Sequence, residues 1–186
     1  MKKIKLKLKG EILMNLRKNI LSALLIAIGY ILHQIVPGTI GSMKFDIMLS
    51  VIFVSLYINK DFKNAMVTAL LGGIITAMTT TFPGGQIPNL IDKLITCGIV
   101  FLLIKATEKL PKQEIVRGAI SFLGTVVSGT VFLTSALYIS GLPAPFSVLF
   151  FGIVLPTSVT NIFLTAMIYQ AVKLAMKVTG AKYVQQ

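Results

Sequence analysis

Thr79-Thr80-Thr81-Phe82-Pro83-Gly84-Gly85-Gln86-Ile87-Pro88-Asn89-Leu90-Ile91-Asp92-Lys93 joins a tight Pro-Gly-Gly turn to the first turns of an apolar helix. Residues 94–104 continue that helix without a single charge. Asn89, Asp92, Lys93 and Thr96 are spaced i, i+3, i+4 and i+7, so they share one helical face. Charges of both signs on one face of a membrane helix are too costly to meet lipid. They point instead to a polar floor beneath a cavity open at one end of a helical bundle.

The rest of the chain supports that reading. Of 186 residues, 55% are hydrophobic and only 13% charged, with no Trp and a mean hydropathy of +0.85. Soluble domains average about 25% charged residues, so the composition is that of an integral membrane protein. Apolar stretches fall at 19–36, 47–58, 65–82, 87–104, 118–142 and 145–172. A helix needs about 20 residues to cross the hydrocarbon layer, so 47–58 is short. It either extends backwards through Phe45 and Asp46 or sits in a thinned, protein-lined region. The expected fold is an all-α bundle of six transmembrane helices, in three parts. These are a basic arm lying on the lipid surface (1–18), the bundle itself (19–177) and a short tail (178–186).

The net charge of +12 suggests nucleic acid in a soluble protein, but here the cations follow the connections. With both termini placed in the cytoplasm, all Lys and Arg except Lys44 and Lys93 fall on the cytoplasmic side. So uneven a split argues for topology, by the positive-inside rule, and not for nucleic-acid binding. Lys44 and Lys93 are then the exceptions, and each has an acid nearby, Asp46 and Asp92 respectively. The connections at the opposite end, 37–43, 83–88 and 141–145, are built from Pro and Gly.

Several residues stand out. His33 near the end of the first span is the only histidine, so it has no partner for a metal site. It is either a satisfied structural histidine or a ligand contact. The Gly-containing stretch 36–46 that follows it is flexible enough to act as a lid. Ala23 and Ala27 form a small-residue pair that suits close helix approach, either within the bundle or onto a separate membrane subunit. The last span carries Thr157, Ser158, Asn161 and Thr165 after Pro156, and the fifth carries Ser121, Thr125 and Ser128. The hydroxyls suit interhelical packing, whereas a buried Asn161 needs several partners. Cys97, alone, is a small packing residue. Hydrolase, zinc-peptidase and nucleotide-loop motifs are missing, so the chain does not read as an enzyme and any ATP use falls to another polypeptide.

The run FPGGQIPNLIDK (82–93), with Pro37-Gly38 and Met43-Lys44-Phe45-Asp46, resembles the TrpP-type tryptophan transport proteins of Gram-positive bacteria. That family is similar to the substrate-specificity components of energy-coupling factor transporters. The resemblance implies a bacterial plasma-membrane protein that binds L-tryptophan. It further implies a transmembrane coupling subunit and two ATPase subunits as partners, with Ala23 and Ala27 as docking residues. Tryptophan is a zwitterion with an indole, which assigns chemistry to residues. Lys44 or Lys93 suits the carboxylate and Asp46 or Asp92 the ammonium. Gln86, Asn89 or Asn161 suits the remaining hydrogen bonds, and Phe82, Phe132, Tyr138 or His33 the ring. Alternatively, Asp92 and Lys93 clamp each other or the Lys44–Asp46 loop. Two other readings stay open: a self-sufficient proton-coupled transporter, and a membrane scaffold that carries no solute.

Overall fold

The computed structural model describes residues 2–35 and 44–178. Stretch 36–43, most of the expected lid, and the tail beyond 178 lie outside the described residues. Among the described residues six helices follow one another: α1 (Lys2–Ile35), α2 (Ile47–Ile58), α3 (Phe62–Thr79), α4 (Gln86–Ala106), α5 (Gln113–Ile139) and α6 (Phe146–Val178). All but α2 are long and apolar enough to span a bilayer. The chain alternates between two ends. One carries the Pro-Gly turns, and the other carries the charged connections together with both described chain ends. The basic stretch before residue 18 is continuous with α1, in one helix from Lys2.

Helix α2 organises the bundle. It packs against each of the other five helices, and residues 48–58 are all buried. A helix apolar on every side is stable only when surrounded. In the 47–58 segment no polar stripe marks a face, because no face meets water. The backward extension through Phe45 and Asp46 does not occur. Asp46 is the N-cap, its side chain accepting from Leu49 N at 3.2 Å. That bond satisfies one of the free amides at the helix start.

Twelve residues rise only about 18 Å, against about 30 Å of hydrocarbon. The shortfall falls at the Pro-Gly end, because the other end is tied down. Asn59 donates to Asn19 Oδ1 at 2.8 Å, and Lys60 bridges to Glu108 in the α4–α5 connection at 2.7 Å. Asp46 therefore lies in a recess below the Pro-Gly turns. Lys93 stands about 10 Å down α4 from its first residue and meets Asp46 there.

Around α2 the apolar core includes Phe53, Leu56, Val100 and Ile104, with Cys97 buried among them. A second cluster at the Pro-Gly end joins Phe82, Phe132, Leu133, Leu149 and Ile153. Gly84 sets the turn that brings Phe82 inward. Its φ is +71°, and an added Cβ would lie 2.5 Å from Ser140 Cβ. Left-handed backbone costs a non-glycine residue about 1–2 kcal/mol before any clash. Gly84→Ala should thus lower the melting temperature in detergent. Gly98→Ala, in α4 with nothing within 4 Å of the new methyl, should hold or raise it. Equal melting temperatures for the two variants would contradict this account of the turn.

Candidate functional site

The face predicted on α4 is buried as expected, and its charges are neutralised from two directions. Lys93 is fully buried, and its Nζ donates to Asp46 Oδ2 at 2.6 Å and to Asp92 Oδ2. Asp92 Oδ1 accepts from Thr96 Oγ1 at 2.8 Å, one turn on. Ser128 of α5 lines the same cavity wall as Asp92. Both pairings foreseen for a clamp are present, joined through one ammonium. Burying three charges is favourable only when each is paired and hydrogen-bonded, as here. Burial opposes ionisation of Asp46, but the adjacent Lys93 ammonium outweighs it and holds the carboxyl below the usual carboxylate range.

Above this cluster lies a cavity of about 70 Å³. His33, Lys44, Asp46, Phe82, Asn89 and Asp92 line it, all of them singled out in the sequence. Lys44 sits at its rim, with Nζ donating to the Thr79 carbonyl at 3.3 Å. Asn89 donates to the Gly85 carbonyl at 2.8 Å, which closes the first turn of α4. His33 Nδ1 is buried without a hydrogen-bond partner among the described residues, 3.9 Å from Asp46 Oδ1. Phe82 and Phe132 meet edge to face, with ring centroids 5.3 Å apart, a favoured aromatic geometry.

The remaining candidates fall elsewhere. Lys93 lies beneath the floor, enclosed by the two acids, and the cavity wall does not include it. Gln86 is exposed on the first turn of α4. Tyr138 is 84% exposed and outside the cavity wall. Asn161 is wholly buried and acts as a structural hub. It accepts from Ser50 Oγ at 2.8 Å and donates to the Asp46 carbonyl and to Thr125 Oγ1, both at 3.1 Å. Those three bonds tie α2, α5 and α6 together and fix the backbone at Asp46. Ala23 and Ala27 lie exposed on α1, on a different face from the buried His33.

Sequence reasoning missed part of the wall. Leu49, Gly129, Ile153 and Val154 line the cavity, but an apolar side chain facing a cavity reads like one facing lipid. Ile153 and Val154 belong to a π turn, Phe150–Val154, just before Pro156. Proline lacks an N–H and its ring crowds the carbonyl four residues back, which favours such a local widening. Pro156 is the signal the sequence offers. Thr157 and Ser158 hydroxyls donate to the carbonyls of Ile153 and Val154, both at 2.7 Å, and so hold the loosened turn. Among the described residues no three His, Cys, Asp or Glu side chains converge as a metal site.

Chemically, the arrangement is a small polar-floored cleft with paired opposite charges and an aromatic wall. The family described as "Tryptophan transporter TrpP" matches residues 15–177. The chain is 40% identical over 165 residues to a probable tryptophan transport protein of Clostridium acetobutylicum, covering 89% of this chain and 96% of that one. Similar proteins with the same description occur in Clostridium perfringens (41% over 177 residues, 88% and 97% covered) and Bacillus subtilis (39% over 164 residues, 88% and 95% covered). No solved structure matches. With the match spanning all six helices, the chain belongs to the TrpP tryptophan transporter family.

Proposed function

We propose that this chain is the substrate-binding membrane subunit for L-tryptophan uptake, held in the bacterial plasma membrane with both termini cytoplasmic. A transmembrane coupling subunit and two ATPase subunits energise it, the former docking on the α1 face that carries Ala23 and Ala27. One observation carries the reading: Asp46, partly open to the cleft, shares its wall with the cation Lys44 at the rim and the Phe82–Phe132 pair. Lys44 takes the ligand carboxylate, and Asp46, backed by Asp92, takes the ammonium. The phenyl rings flank the indole, and the Asn89 carboxamide oxygen accepts the indole N–H. The charges of Lys44, Lys93, Asp46 and Asp92 cancel, which suits a guest with no net charge. His33 completes the wall.

Ligand pockets run to about 300–1,000 Å³, so a cavity of about 70 Å³ is contracted. Binding must displace a wall, and the π turn of α6 is the wall with a second backbone arrangement available to it. Straightening it to regular α-helix moves Ile153 and Val154 relative to the cleft.

The protein contains no Trp, so added L-tryptophan is nearly the sole indole emitter. In detergent, its emission should shift blue and saturate in the micromolar range. Tryptamine and indole-3-propionate each lack one charge and should bind at least about tenfold more weakly, the worth of about 1.4 kcal/mol. A linear, unsaturable response would remove the binding reading. Proteoliposomes holding this chain alone should not accumulate tryptophan under a pH gradient. Accumulation there would replace the ATPase partners with proton coupling.

A further inference from the structure

A second cavity, of about 210 Å³, opens between α1 and α3. It lies toward the charged end of the bundle, whereas the tryptophan cleft lies at the Pro-Gly end. Part of its polar lining lacks partners among the described residues. Ser22 Oγ is buried, with the residue 5% exposed, and makes no hydrogen bond. Asp61 is the N-cap of α3, yet its carboxylate does not cap the helix. Lys63, two residues on, also lines the opening and is exposed. Deeper, Ile26, Val67 and Leu71 form an apolar track along the groove. Ala23 keeps that track open by having almost no side chain.

We infer that this groove holds a glycerophospholipid with an ethanolamine headgroup. Lys63 pairs with the phosphodiester, Asp61 with the headgroup ammonium, and the first part of an acyl chain follows the apolar track. Charge complementarity selects this occupant. Among the described residues one cation and one anion line the opening, so a zwitterionic headgroup matches both, whereas phosphatidylglycerol leaves Asp61 unpaired beside its phosphate. An apolar helix laid into the groove would bury the exposed Asp61 and Lys63 side chains without partners, a large cost for charged groups. A zwitterionic headgroup pairs both. A coupling subunit on the exposed α1 face then packs over the lipid and does not replace it.

Native mass spectrometry of the detergent-purified full chain, incubated with equal amounts of phosphatidylethanolamine and phosphatidylglycerol, tests this. Wild type should retain the ethanolamine lipid about fivefold over the glycerol lipid, the ratio expected from about 1 kcal/mol of headgroup electrostatics. Asp61→Asn removes the anion at nearly unchanged size, with no capping bond to lose, and should abolish that preference while still retaining lipid. Lys63→Glu should lose about fivefold of total retention, and Lys109→Glu, outside the groove, should lose none. Excess water-soluble glycerophosphoethanolamine should not displace the lipid, because it lacks the chain for the apolar track. Equal retention of both lipids by wild type, an Asp61→Asn preference identical to wild type, or displacement by the free headgroup would each overturn the assignment. So would recovery of a stoichiometric partner helix in this groove in place of lipid.

Discussion

Lys93→Met should be among the most damaging single substitutions in this protein, lowering stability by about 3–5 kcal/mol, the usual cost of removing one partner from a buried ion pair. Two carboxylates lean on this one ammonium, and the side chain is fully enclosed. Met fills the stem's volume but leaves Asp46 and Asp92 facing each other in a medium that cannot solvate them. The measurement is thermal unfolding in detergent, with yield from the membrane as a second readout. The triple variant Lys93→Met, Asp46→Asn, Asp92→Asn should recover most of the lost melting temperature. The carboxamide introduced at position 46 can still cap α2, and the one at position 92 can still accept from Thr96. The triple variant should not regain tryptophan binding. A wild-type melting temperature for Lys93→Met alone would mean that the cluster is not interdependent, and the account of the cleft floor would fall with it.

The architecture is legible in the sequence because lipid enforces simple rules. Uncharged stretches between charged or Pro-Gly connections mark all six helices. The cost of polar groups among them points to Asn89, Asp92, His33 and Asn161, all of which are buried. Helix boundaries are less legible. A carboxylate before an apolar run fits both a first turn and a cap, so spacing alone leaves Asp46 undecided between them. The central position of α2 is half-visible: its length is wrong for a span, but a uniformly apolar segment carries no periodicity to say what surrounds it. The roles of the charges are hidden for a different reason. Lys44 and Lys93 are equivalent in sequence, each near an acid, and only the fold assigns Lys93 to two carboxylates while leaving Lys44 at the rim. Asn161 suits a ligand contact for the same reason that it is a good hub, since its amide both donates and accepts. The π turn has only Pro156 to announce it, and no spacing rule locates the residues it turns toward the cleft.

Asp46→Asn separates binding from folding, which no change at Lys93 can do. The asparagine retains an oxygen for the Leu49 amide, and Lys93 keeps Asp92, so the stability loss should stay within the roughly 1.5–3 kcal/mol typical of a hydrogen bond to a charged group. Affinity should suffer more. An ammonium entering a desolvated cleft loses its charge partner, a change worth about 2–5 kcal/mol. Tryptophan binding by fluorescence should therefore weaken at least about 30-fold, the equivalent of about 2 kcal/mol, in a protein that still melts cooperatively. Indole-3-propionate, which has no ammonium to lose, should bind the variant no worse than wild type, and that contrast assigns the effect to Asp46 and not to a general distortion. The pH dependence follows in sign. The Asp46 carboxyl is held below its ordinary 3.8 by Lys93. Its contribution is then fully present above that value and is lost only as the pH falls through the lower folded value. Its share of wild-type affinity should accordingly stay level from about pH 8 down to about pH 5. A variant that binds tryptophan as tightly as wild type would move the ammonium site away from Asp46, leaving Asp92 as the remaining carboxylate on the cleft.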